Sequence, residues 1–448
     1  MISLRRIAFI PAVLVLAAGL SGCDTVEGIF SSTDNKEKLL GTRISVLALE
    51  RELRPSLESV DTRIVLPRPE DTNIWPGAGG LSHHAMHHVM ISEAPKQVWS
   101  SSAGTGSDLR NRAFAEPVVA NGRVFTMDAE GIVSSFDAAT GKRSWRKETA
   151  PEVDEDNAFL GGALCIEDNR LFATSGAAQV IALDAANGKE IWRVSVETPI
   201  RAAPTVNAGR VFVVTVDNQV IALSAESGRT LWSYAGSPAP TILLGGTAPA
   251  VDGGVVVAGL SSGELVALRT DNGTVLWNET VVAVRRTEAA ASLPDIAARA
   301  VIDKGRVYAV GQSGLLVAID LRTGRRLWDV PVAGIYQPWI GGDFLYGVTV
   351  DSEVVCIDAR SGRILWVTQL PQYEDEEEKE DRIVWAGPAL ASDRLILTGS
   401  TGEALALSPY SGAVLGKIDL RAGASLPPVF ANATMYLLDD DGDLTAYR

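Results

Sequence analysis

A formal charge of −15 over 448 residues, with 55 acidic against 40 basic side chains, argues against nucleic acid and anionic lipid headgroups as partners, because both are held by basic patches. Hydrophobic residues make up 46% of the chain, yet none of its stretches reaches the roughly 20 uninterrupted apolar residues of a membrane-spanning helix. Protein surfaces of basic character remain as partners.

The first element is a targeting segment. Arg5 and Arg6 precede an apolar run from Ile7 to Leu20, the length of a signal-peptide core and too short to cross a bilayer. It ends in Leu20-Ser21-Gly22-Cys23, the pattern at which bacterial lipoproteins are cleaved, the cysteine taking up diacylglycerol and becoming the new N-terminus. Residues 1–22 are therefore expected to be removed, Cys23 to carry the lipid, and the body to be periplasmic and held to the membrane by its lipid alone. Losing Arg5 and Arg6 takes the formal charge to −17. Asp24 resembles the inner-membrane retention signal of some bacteria, so this end of the chain leaves both membranes open.

Residues 23–95 form a lipidated tether and N-terminal extension. The polar stretch Ser31-Ser32-Thr33-Asp34-Asn35-Lys36 reads as a tether, and Leu39 to Leu57 as either a short helix or an extended segment. All four histidines, His83, His84, His87 and His88, fall within six residues, and on a helix their spacing would present imidazoles to Zn²⁺ or Cu²⁺. No carboxylate or cysteine completes a ligand set, so surface imidazoles on a segment packed against the body are the favoured reading, and no metal is assigned.

Residues 96–448 are a repeat. The pattern small-x-Asp-x-x-x-Gly-x-x-x-Trp gives Asp137, Gly141, Trp145; Asp184, Gly188, Trp192; Gly228, Trp232; Gly273, Trp277; Asp320, Gly324, Trp328; and Asp358, Gly362, Trp366. A seventh copy keeps Gly412 but has Gly416 in place of the tryptophan, and an eighth runs from Pro428 to Arg448. Two residues before the aspartate position stands a small residue in every copy, from Ser135 and Ala182 to Cys356 and Ala446, which suggests packing toward a crowded axis. Four residues earlier is a turn position, glycine in five copies and Asn218 in a sixth, suited to positive φ. Each unit reads as four short strands, A to D, with the tryptophan on D.

Tryptophan spacings of 38 to 51 residues fit one propeller blade apiece. The last copy lacks strand D, and Lys96-Gln97-Val98-Trp99 supplies it from the other end, which pairs both ends of the domain and removes an exposed edge. The fold class is thus all-β: a monomeric eight-bladed β-propeller of four-stranded antiparallel blades, closed by an N-terminal strand. Trp99, Trp145, Trp192, Trp232, Trp277, Trp328 and Trp366 are expected to pack between blades with each indole N–H on a backbone acceptor, rather than to line a ligand box. Blade seven, without its ring, should have the loosest interface. Cys165 falls in strand A of blade two and Cys356 in strand C of blade six, on opposite sides of the ring, so neither can reach the other.

Strands alternate in direction, so A–B and C–D turns share one face and the D–A crossovers the other. The long connections are all D–A: Ser233 to Thr247, Asn278 to Arg299, and Val367 to Ala386. The last holds the acidic run 374–381, read first as a solvated loop and second as a binding element.

The Ala182-Leu183-Asp184 to Gly188 and Trp192 pattern resembles the repeat of pyrroloquinoline quinone (PQQ) dehydrogenases and their non-enzymatic relatives; with the lipobox and the length, residues 96–448 most resemble the BamB family of outer-membrane assembly lipoproteins. The resemblance implies a protein-binding scaffold at the outer membrane, without catalytic residues or cofactor, that contacts the periplasmic domains of BamA and, as further partners, unfolded outer-membrane protein clients. In that family the BamA contact lies on two successive crossovers; here Leu243 and Gly245 match while Leu244 replaces an expected arginine, and Asp295 keeps one acidic position while Ala297 replaces a second. Leu243 and Leu244 would then supply an apolar anchor. A PQQ-dependent dehydrogenase and another envelope-protein scaffold are the alternatives; the first is disfavoured because adjacent cysteines, enlarging insertions and a calcium-ligand cluster are missing from the sequence.

Overall fold

The computed structural model describes residues 53–57, 62–107, 115–149, 162–200, 202–239, 247–282 and 295–448. Cys23, the tether and the leucines at 243 and 244 lie outside them. Eight four-stranded antiparallel sheets follow one another along the chain, with no helix of more than one turn among the described residues. Blade three is representative: Thr205–Asn207, Arg210–Val214, Gln219–Ser224 and Thr230–Ala235 pair in that order. In blade eight, Gln97–Ser102 pairs with Asp443–Tyr447, so the ring closes with an N-terminal strand as expected.

The register explains the repeat. In seven blades the small residue of strand C lies directly opposite the tryptophan of strand D, as Ala182 to Trp192, Ala318 to Trp328 and Cys356 to Trp366, and in blade seven Ala406 faces Gly416. Opposite it on strand B stands an aromatic in six blades, for example Phe172 or Tyr346. The two rings meet across the small side chain at centroid distances of 5.9 to 6.0 Å. In those six blades the small residue is needed because two rings close over it.

Each tryptophan then reaches into the next blade. Trp145 Nε1 donates to the Ala185 carbonyl at 3.0 Å and Trp232 Nε1 to that of Thr270 at 3.0 Å, and the other five indoles do likewise. The ring face rests on the glycine of the neighbour's C–D turn. At Gly188 the backbone has φ of 73°, and an added Cβ would stand 2.7 Å from Trp145, so both conformation and space demand glycine.

Blade seven breaks the series for a topological reason. Its neighbour, blade eight, has no C–D turn, because strand D arrives from the other end of the chain. A tryptophan at 416 would have neither glycine nor carbonyl to meet, and a Cβ on Gly416 finds nothing within 4 Å. Strand Val414–Asp419 is exposed along its whole length, and a cavity of about 250 Å³ lined partly by Asp419, Arg421 and Tyr447 opens in this seam. Cys165 and Cys356 are buried free thiols.

These contacts give a paired expectation for urea unfolding. Trp232→Ala removes a ring, an indole hydrogen bond and an interblade contact, and should cost about 3–5 kcal/mol. Gly416→Trp should change stability by less than about 0.5 kcal/mol, since nothing waits to receive the ring; a large gain would show that the seam can be closed and the topological account is wrong.

Candidate functional site

Strand A of every blade pairs only with strand B, which leaves eight inner edges facing the axis. Unpaired backbone groups there need partners. Residues 71–93 provide them, running around the axis past the blades in order. At blade eight, Asp71 Oδ1 and the Thr72 carbonyl accept from the amides of Ala433 and Asn432. Trp75 exchanges two backbone hydrogen bonds with Val119 of blade one, at 2.7 and 2.9 Å, and Pro76 accepts from Ile166 of blade two. Ser82 bonds to Asn207 of blade three and Val251 of blade four.

His83 accepts from Ile302 of blade five, His87 from the Trp339 indole of blade six, and Val89 pairs with Leu390 and Ser392 of blade seven. Arg394 then holds the Ser92 and Glu93 carbonyls before the chain enters blade eight at Lys96. The extension is thus a strap making one turn inside the ring.

Trp75, 1% exposed, stacks on Trp339 at 6.2 Å and meets Phe430 edge-on at 5.9 Å. Beside it a polar bridge spans the axis. Glu116 of blade one forms an ion pair with Arg299 of blade five; Arg299 also donates to Gln337 at 2.9 Å, Gln337 to the His84 carbonyl at 2.9 Å, and Gly79 N–H to Glu116 at 2.9 Å. A Cβ on Gly79 would fall 2.1 Å from Gln337 Oε1, which explains the glycines after Trp75-Pro76. The remaining space here is about 20 Å³, room for one water molecule. A quinone needs a pocket of roughly 300 Å³ or more, so these axial residues do not fit one.

The four histidines lie on this strap, in turns and irregular chain and not on a helix, His84 and His87 with φ of 64° and 49°. Their partners diverge: His83 Nδ1 accepts from Ala85 N–H, His84 Nδ1 bonds to the Ala300 carbonyl, His87 Nε2 lies 3.3 Å from Asp303, and His88 bonds to Pro67 and Asp393. Among the described residues no three His, Cys, Asp or Glu side chains are placed to hold a metal ion. His84 and His88 are 2% exposed, so the expectation of surface imidazoles fails for these two. Burial, then the Arg299 charge, depresses the His84 pKa to about 3.

On the crossover face, Ser237 is held by Glu264 through its N–H and hydroxyl, each at 2.9 Å, so the approach to residues 240–246 is fixed although those residues lie outside the description. Asp295 is 5% exposed, and its carbonyl accepts from Gln312 N–H. The acidic run is a hairpin, Tyr373–Asp375 with Glu380–Arg382, whose residues 374–381 are all exposed. It is anchored at its base by Ile383 N–H to Gln372 and Trp385 Nε1 to Pro371.

A family model described as outer membrane protein assembly factor BamB matches residues 89–161 and 129–368, more than half of the chain. The chain belongs to the BamB family. The BamB of Marinobacter adhaerens is 28% identical over 161 residues, 35% of this chain; the match spans only 38% of that relative's length. The crystal structure of BamB from Moraxella catarrhalis superposes with a TM-score of 0.66 at 20% identity, over 79% of this chain and all of that one. A quinohemoprotein alcohol dehydrogenase from Pseudomonas putida gives the same TM-score, 0.66, at 13% identity, over 84% of this chain and 80% of the other. At such identities the likeness shows a shared fold alone, and the family match separates the two.

The axial bridge has a measurable consequence. Arg299→Ala leaves Glu116, whose side chain is 3% exposed, buried without its counter-charge, and should cost about 3–5 kcal/mol in denaturant unfolding. Adding Glu116→Gln should recover part of that loss. A cost below about 1 kcal/mol for the single variant would mean that the bridge does not hold the axis.

Proposed function

We propose that this chain is a non-enzymatic lipoprotein subunit of the machinery that assembles β-barrels into the outer membrane, anchored through Cys23 on the periplasmic side and binding the periplasmic domains of BamA. Membership of the BamB family carries the reading. The filled axis supports it, because the surfaces left to recognise anything are the outer faces, and the long crossovers gather on one of them. The same rigid frame is suited to presenting loops to unfolded barrel clients.

The contact is assigned to the crossovers between blades three and four and between four and five, with Leu243 and Leu244 as apolar anchor beside Gly245. Asp295 is the acidic position of the second crossover, and its burial makes it a residue that fixes the loop from beneath as well as a candidate contact. In direct binding to the BamA periplasmic domains, Leu243→Asp with Leu244→Asp should weaken affinity by at least roughly thirtyfold, the effect of losing a hot spot. Melting temperature should hold, since the substitutions lie outside the strand ladder. Asn187→Asp with Lys189→Glu, in a C–D turn on the opposite face, should bind as wild type. Equal binding by both variants would remove the crossovers from the contact.

A further inference from the structure

Two of the four strap histidines, His84 and His88, are buried. His88 has both ring nitrogens engaged: Nδ1 lies 2.7 Å from the Pro67 carbonyl, and Nε2 accepts the Asp393 N–H at 2.8 Å. Only the neutral Nδ1–H form satisfies both, because a proton on Nε2 would face another N–H. His84, four residues earlier on the strap, packs against Arg299, with Nδ1 at 2.8 Å from the Ala300 carbonyl. A second positive charge there would be buried beside the guanidinium that already pairs with Glu116. We infer that residues 71–93 are an acid-released strap: protonation of His84, buried beside Arg299, detaches the segment from the axis and uncovers the inner edges of the blades.

The surrounding charges set the sign. His84 faces Arg299 from blade five and His83 from its own segment, with Glu116 of blade one beyond the guanidinium. His88 faces Asp393 of blade seven, with Nε2 4.0 Å from Oδ1, and that carboxylate also accepts from the Tyr410 hydroxyl; Glu70 meets the histidine backbone to backbone. His83 is lowered by burial, against the pull of Asp252 and Asp303, and next to His87. The free imidazole takes up a proton near 6.5. Because burial lowers His83 and holds His84 far below that value, docking is at full strength above about pH 6.5 and weakens as pH falls toward the docked pKa of His84, by up to tenfold per pH unit for that imidazole.

Hydrogen exchange of the full mature protein, corrected for intrinsic rates, tests this between pH 7.5 and 5.0. Amides that the strap protects or offers, such as Trp75, Val89, Val119 and Ile302, should lose at least tenfold in protection, while strand B amides such as Val211 and Val213 keep theirs. In the double variant His83→Gln, His84→Gln the pH step should vanish, whether the strap is docked or already loosened at neutral pH. Constant strap protection in the wild type, loss of protection in strap and blades together, or a pH step that persists in the double variant would each overturn the proposal.

Discussion

The indole of strand D, closed over a small residue on strand C and donating to a carbonyl of the next blade, is the interaction on which the ring depends. It couples two directions of packing. Within a blade it meets the strand B aromatic; between blades it rests on the turn glycine and spends its one polar group on a backbone acceptor. One side chain thereby sets blade thickness and the step to the following blade. Tyr308 and Tyr346 reinforce the joint, their hydroxyls sharing the carbonyls of Ala359 and Pro409 with the indoles of Trp328 and Trp366.

Much of this was legible in the chain because repetition exposes it. The Gly and Trp spacing fixes the number of blades, the missing strand in the last copy points to Trp99, and the separation of Cys165 from Cys356 follows from blade count. The turn position also generalises beyond glycine: Ala178 and Ser352 take it with φ of 59° and 60° in the two copies where no glycine or asparagine stands. The packing of two rings over the small residue is not legible in the repeat, since a one-dimensional pattern does not say which neighbours lie across a strand.

The strap was not legible, again for a physical reason. It is irregular, non-repeating, and held by contacts to eight separate blades, six through backbone groups and two through the Asn207 and Trp339 side chains, so no periodicity in residues 71–93 announces it. Its only local signals are the glycines following Trp75-Pro76 and the concentration of histidines, and these acquire meaning once Gln337 and Pro67 are seen against them. The crossover residues are a different case. Leu243, Gly245 and Asp295 match the family pattern and Leu244 departs from it, while the burial of Asp295 is something the alternation of polar and apolar residues in a loop does not reveal.

The axis of this propeller is filled by its own chain, and the space left beside Trp75 and Arg299, about 20 Å³, is too small for a quinone. Equilibrium dialysis of the mature protein with PQQ and Ca²⁺ at pH 7.5 tests that claim most directly. The account predicts no bound quinone at concentrations that saturate a dehydrogenase of this fold. Stoichiometric quinone, with the strap amides losing their protection as it binds, would contradict it.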